Sequence, residues 1–267
     1  MLNIIEFCES SAFLNKSLWP WQKIILKAFY NLGLNKSERK KVLQDLPIDS
    51  DYENYSLVSQ FISKLDNELD ELVVILGRRG GQTMLGQIID YYELYRILEM
   101  ANPLEYFKLE ENDIMTILHT SASERSSIND SILQHDGSEI LKIPYFANKI
   151  ESKNIQQIKF NSNLEFAHYH FHAAMMNDNL NIVAAIVEEM FGFGIFIGKD
   201  GRDQYPYDFY QKLKTKVQKF GGRVVCLSNA GVKGDDIHKI YCDAFLNPKA
   251  LVVQLPTYVA NPNFRGE

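Results

Sequence analysis

The stretch LVVILGRRGGQTMLGQII, Leu72 to Ile89, decides how this chain is read. Leu72 to Leu76 is a short apolar run of strand length, Gly77, Gly80 and Gly81 mark a turn, and Thr83 opens an amphipathic helix. A strand, a glycine turn and a helix are how a phosphate-binding loop is built. Backbone N–H groups at the helix N-terminus cradle phosphates, a lysine reaches the β- and γ-phosphates, and a Ser or Thr hydroxyl holds Mg²⁺. Here the lysine position holds Gln82. Without a ligand the same residues are a strand, turn and helix of the kind found in many α/β folds.

Composition bounds the alternatives. With 267 residues, 46% hydrophobic and 23% charged, the chain can bury a full core as one large domain or a domain with a small appendage. The net charge of -6 gives no global attraction to nucleic acid. Such binding would need a local patch, Lys36 to Lys41 (KSERKK) or Lys212 to Lys219, and each run also reads as a solvated helix face. Cys8, Cys226 and Cys242 form no CxxC pair and no metal-ligand spacing, which fits free thiols in a reducing cytoplasm. No signal peptide and no apolar run of membrane length is evident.

Residues 1–70 carry helix-period blocks near Trp19 to Asn31, Ser37 to Leu46 and Leu57 to Leu69, a helical preface to a core over 71–267. From Leu72 onward short apolar strands alternate with amphipathic segments. After LVVIL come a helix over 84–100, a strand IMTILH over 114–119 and a helix over 123–134. Strands are expected at Ile155 to Phe160, Ile182 to Val187, Val224 to Leu227 and Leu251 to Leu255, with helices at Tyr207 to Phe220 and Asp236 to Phe245. This alternation predicts an α/β fold with a mainly parallel central sheet flanked by helices.

In such a sheet ligands sit at the carboxyl ends of the strands. The glycine turn GRRGGQT follows the first strand, Glu188 and Glu189 follow IVAAIV, and Ser228 and Asn229 follow RVVCL. In an NTPase the first glutamate holds Mg²⁺ through water, the second polarises the attacking water, and small polar groups on a neighbouring strand sense the γ-phosphate. Taken singly, adjacent glutamates after a strand are more often a helix start than a metal site, and Ser228-Asn229 reads as a turn.

These motifs, in this order, resemble the N-terminal ATPase domain of phage terminase large subunits, the motors that package DNA into capsids. GRRGGQT has the length and arginines of that family's shortened P-loop. LWPWQKIIL, Leu18 to Leu26, looks like its adenine-side motif, and VVCLSNAG, Val224 to Gly231, like its coupling motif. YELYRILEMANPLEYF, between the P-loop and the second strand, is also similar. The resemblance implies a P-loop NTPase binding ATP and Mg²⁺. Gln22, Gly77, Arg78, Arg79, Gly80, Gly81, Gln82 and Thr83 would bind nucleotide, Thr83 and Glu188 the metal. Glu189 and Arg79 would be catalytic, and Ser228 and Asn229 coupling residues. It implies as partners double-stranded DNA, a portal protein, a small terminase subunit and a homo-oligomeric ring, with the isolated domain monomeric, no membrane partner, and a place in the cytoplasm of an infected host cell. Family members carry a C-terminal nuclease domain; its acidic cluster is not visible here, so the chain is expected to be the ATPase half.

Two departures stand out: Gln82 replaces the lysine, and Glu188 stands where an Asp is usual. Losing the ammonium removes a charge-assisted bond of the kind that costs roughly 2–5 kcal/mol when a buried partner is deleted. Arg78 or Arg79 could compensate, since a guanidinium fork suits phosphate geometry. An engineered substitution, a natural arginine-using variant and a degenerate motor all remain open. So do a non-hydrolysing nucleotide-binding or assembly module and a helicase-like ATPase. Ring motors also need an arginine from a neighbour; Arg125 and Arg202 are the candidates. In HYHFH, His168, His170 and His172 would share one face of a strand, a spacing that could bind a transition metal or serve packing alone. Two geometric expectations follow. A phosphate should meet the amides of Gly80 to Thr83, and Glu188 should point toward Thr83 while Glu189 faces the space beyond the γ-phosphate.

Overall fold

Apolar runs without alternation become strands buried on both faces. In the computed structural model, which describes residues 1–46, 56–121, 137–154, 156–170, 179–190, 196–197 and 203–264, these runs form the middle of an eight-stranded sheet. Its strands are β1 (Glu71–Leu76), β2 (Met115–Ser121), β3 (Ile150–Lys153), β4 (Gln157–Phe160), β5 (Leu164–His170), β6 (Asn181–Glu188), β9 (Arg223–Ser228) and β10 (Ala250–Leu255). The spatial order is β10-β1-β9-β6-β2-β5-β4-β3. From β10 to β5 all pairings are parallel, and β5-β4 and β4-β3 are antiparallel. A separate two-residue pair, β7 (Phe196–Ile197) and β8 (Asp203–Gln204), completes the strands described.

The helices are α1 (Ile4–Glu9), α2 (Pro20–Phe29), α3 (Lys36–Asp45), α4 (Leu57–Ser63), α5 (Gln82–Leu98), α6 (Pro103–Tyr106), α7 (Gly137–Lys142), α8 (Pro144–Ala147), α9 (Pro206–Lys219), α10 (Asp236–Leu246) and α11 (Thr257–Ala260). Asn3 and Asn35 start α1 and α3 through reciprocal bonds with Glu6 and Glu38. On α2, Pro20 takes the first helical position, where a missing N–H costs nothing. One face of the sheet is covered by α5 with α1 and α2 packed beyond it, around Phe7, Trp21, Phe29, Tyr91 and Leu94. The other carries α9 and α10, around Phe209, Tyr210, Ile237 and Phe245. Since α5 is sandwiched between sheet and helices, it is buried nearly all round, Asp90 and Glu93 included.

The expected alternation is therefore present, with differences at the edges. The strand expected over Ile155 to Phe160 is present as the shorter β4, and an unexpected antiparallel partner, β3, precedes it, with Asn154 between them accepting the amides of Gln156 and Gln157. The helix expected to begin at residue 84 begins at Gln82 and ends at Leu98. Helix α1, absent from the sequence reading, buries Ile4, Phe7 and Cys8. The helix expected over 123–134 lies outside the described residues.

Candidate functional site

The loop between β1 and α5 is held from within, by Trp19 and Gln22 on one side, and by α11 on the other. Inside it, the amide of Gly80 donates to the carbonyl of Gly77 at 2.9 Å. Gly81 caps α5 in the left-handed region, φ +88°, and a Cβ there would lie 2.8 Å from the Trp19 ring and 2.9 Å from Gln22 Nε2. Only glycine fits both the dihedral and the gap. At the far side α11 braces the loop: Thr257 Oγ1 donates to the Arg78 carbonyl and Asn261 Nδ2 to that of Arg79, each at 2.9 Å. A Cβ on Gly77 would run into Thr257. The Leu85 amide returns to Gly81 at 3.1 Å, so Gln82, Thr83 and Met84 form the first turn, whose amides have no intrahelical partner. Of the four amides expected to meet a phosphate, that of Gly80 is spent inside the loop.

Gln22 is buried beside this loop. Its Oε1 accepts the Trp19 amide at 3.0 Å, and its Nε2 lies 3.4 Å from the Gly81 carbonyl. It therefore caps α2 and ties that helix to the glycine turn. Gln82 turns toward the sheet, with Nε2 donating to the carbonyls of Leu76 at 3.0 Å and Ser228 at 2.8 Å and lying 3.3 Å from Asn229 Oδ1. The residue at the lysine position thus stitches the ends of β1 and β9 together.

Beside the loop lies a cleft of about 570 Å³ lined by Arg78, Arg79, Gly81, Gln82, Thr83, Met84, Glu189 and Asn229. Residues far apart in sequence meet there because β1, β9 and β6 are adjacent and end at the same side of the sheet. Arg78, Arg79, Thr83 and Glu189 are exposed. Arg79 and Glu189 have φ of +62° and +53°, left-handed conformations that cost a non-glycine residue about 1–3 kcal/mol and concentrate at functional sites. A triphosphate and Mg²⁺ call for amide donors, cations and hard oxygen ligands. The first turn of α5, the two arginines, the Thr83 hydroxyl and the glutamates fit that set.

Glu188 is buried at the end of β6. Its carboxylate packs over α5 where Gly86 has no Cβ, and its Oε2 lies 4.0 Å from His119 Nε2 on β2. His119 Nδ1 is 2.6 Å from Asp90 Oδ2, on α5 and fully buried. Burial pushes the Asp90 carboxyl up, against the pull of His119. Neither Asp90 nor His119 was nominated from the sequence. The available signals were an acid inside the apolar run IIDYY and a histidine closing the strand IMTILH.

Of the histidine triplet, His168 sits on β5 with its ring against His119, centroids 4.7 Å apart, and burial, with His119 beside it, lowers its pKa to about 2. His170 ends β5, and His172 lies outside the described residues. Among the described residues no group of His, Cys, Asp and Glu is arranged to hold a metal by itself. Arg125 and Arg202 also lie outside the described residues. Among those described, no helix is long and apolar enough to cross a membrane.

A family model described as the N-terminal P-loop domain of uncharacterized protein MJ0330 matches residues 1–267. Comparison with curated proteins gives no match. Among solved structures, the large terminase of bacteriophage HK97 is similar, with a TM-score of 0.58 at 14% identity over 94% of this chain and 43% of that one. The large terminase of thermophilic bacteriophage D6E, solved with ADP, scores 0.48 at 11% identity over 85% of this chain and 47% of that one. The ATPase domain of the Thermus phage P74-26 large terminase scores 0.49 at 9% identity over 85% and 88%. The HK97 likeness is one of fold, and the chain spans less than half of that terminase's length.

Proposed function

The chain belongs to the family of the MJ0330 N-terminal P-loop domain, and from that premise we propose that it binds ATP with Mg²⁺ in the cleft beside Gly77 to Thr83 and hydrolyses it slowly. One observation carries the reading: the first turn of α5, Arg78, Arg79, Glu189 and Asn229 line a single cleft. In this reading the amides of Gln82, Thr83 and Met84 receive phosphate oxygens at the positive end of the α5 dipole. Arg78 and Arg79 supply the charge a lysine would have brought, Thr83 and Glu188 serve the metal, and Glu189 orients the attacking water. The metal, when bound, neutralises charge on the phosphates. Gln22 acts beside the adenine indirectly, by holding the glycine turn. The wider proposal, by analogy with a terminase fold, is a motor domain acting on double-stranded DNA in a ring on a portal, with a small subunit as further partner and a neighbour supplying an arginine.

A second reading is a nucleotide-binding or assembly module without turnover. The inward bonds of Gln82 favour it, because the side chain at the lysine position is already engaged. ATP hydrolysis by the wild type, Gln82→Lys and Glu189→Gln separates the two. Slow turnover that Glu189→Gln abolishes supports the first. Turnover seen in Gln82→Lys alone supports the second, and turnover in Glu189→Gln equal to wild type contradicts the role given to that residue.

A further inference from the structure

Helix α5 meets the strand ends along one stripe. Gln82, Gly86 and Asp90 stand four residues apart, about 6 Å per step along a helix rising 1.5 Å per residue. Neighbouring strands are about 4.8 Å apart, so a tilted helix can serve successive strands at successive turns. It does so here. Gln82 bonds to the ends of β1 and β9, Gly86 receives the Glu188 carboxylate of β6, and Asp90 bonds to His119 of β2. The order of contacts follows the sheet's own order, β1-β9-β6-β2.

The Glu188 carboxylate is therefore confined between α5 at Gly86 and the His119 ring. His119 is itself fixed, since a 2.6 Å bond to Asp90 sets its orientation and places Nε2 4.0 Å from the Glu188 carboxylate, too far for a hydrogen bond but close enough for the ring to pack against it. Burying an acid and an imidazole beside a second acid carries a desolvation cost that apolar residues of similar volume would avoid. A carboxylate behind an imidazole orients groups around metal sites in the same way. We propose that Asp90 and His119 are a positioning pair that holds Glu188 in its metal-serving orientation and ties that orientation to the helix that begins at the phosphate loop. This rests on the reading of Glu188 as the metal-side carboxylate.

The test uses the full chain, ATPγS and Mn²⁺ as the spectroscopic probe. Metal affinity of the protein–nucleotide complex is read by electron paramagnetic resonance, metal-free ADP binding and thermal melting alongside it. His119→Phe, which keeps ring volume without a polar edge, should weaken Mn²⁺ about 10–100-fold while metal-free ADP binding holds. His119→Gln should recover part of the loss. Asp90→Asn, which keeps shape and a bond to the ring, should lose less in the same direction, and it carries the test if His119→Phe does not fold. Glu188→Ala must weaken Mn²⁺ at least as much. Full Mn²⁺ affinity in the His119 and Asp90 variants beside a weakened Glu188→Ala would overturn the positioning pair alone. So would a loss that tracks melting and metal-free ADP binding equally. Full affinity in Glu188→Ala would remove the reading beneath it.

Discussion

Gln82 is where a single side chain separates two chemistries. A lysine ammonium would face a triphosphate, whereas this amide donates to the carbonyls of Leu76 and Ser228. Gln82→Lys should raise MgATP affinity by at least about tenfold, since a charge-assisted bond is worth about 1.5 kcal/mol or more. Calorimetric titration of the two proteins checks this, and equal affinities would mean that Arg78 and Arg79 already saturate the phosphates. His168 offers a second test. Its folded pKa of about 2 lies far below the ordinary 6.5, so the folded state holds it neutral while the unfolded chain takes up a proton. The corresponding stability is full above pH 6.5 and falls as pH drops below it, by about 1.4 kcal/mol per unit from this one group. Urea midpoints at pH 7, 6 and 5 should show that slope flattened in His168→Phe. Both residues could be singled out in the sequence. Their directions could not, because Gln82 turns toward a carbonyl 146 residues away and His168 toward a ring on another strand.

Helix α5 is the element that organises the site. Its start is legible from the glycine turn to within a residue or two, and Gly81 in a left-handed cap lets the helix begin at once at Gln82. The stripe Gln82, Gly86, Asp90 was not legible, because what fills a helix stripe depends on which strands lie beneath it, and β9, far downstream of β1 in sequence, enters between β1 and β6. Gly86→Ala drives a methyl into the Glu188 carboxylate. It should cost about 1–3 kcal/mol as overpacking, read by denaturant melts, and weaken metal-dependent nucleotide binding more than metal-free binding. The bracing of the loop by α11 was equally hidden, as Thr257 and Asn261 stand some 180 residues from Arg78 and Arg79. Thr257→Val with Asn261→Ala should loosen the loop and raise the nucleotide Kd several-fold with little change in melting, since both side chains are partly exposed.

Across the whole molecule, one buried charge network binds the helical preface to the sheet. Glu93 on α5 meets Tyr30 at 2.8 Å, Arg96 at 2.7 Å and Arg223 at 3.4 Å, so α2, α5 and β9 share it. Burial alone would raise the Glu93 pKa, but the two guanidinia and the bonds from Arg96 and Tyr30 outweigh it and hold it below the ordinary carboxylate value. A depressed carboxylate stabilises above about pH 4.3, and the contribution is lost as pH falls through the folded value. Glu93→Gln should cost about 3–5 kcal/mol at pH 7 and flatten the acid limb of the unfolding curve. The alternation of strands and helices made the parallel sheet legible, because each strand buried on both faces reads as an apolar run. The packing of the preface was not legible, because helix period alone does not say which face of a sheet it will cover. The basic run on α9 is in part internal, since Lys214 pairs with Glu71 at 2.5 Å, so DNA binding by that patch would rest on its remaining lysines. Nucleotide chemistry in this chain turns on where a triphosphate sits. A crystal structure with ATPγS and Mg²⁺ should place phosphate oxygens about 2.7–3.2 Å from the amides of Gln82 and Thr83, with Glu189 facing the γ-phosphate. Nucleotide bound instead in the cavity beside Tyr241 and Phe245 on the opposite face, or a cleft left empty at saturating ATPγS, would contradict it.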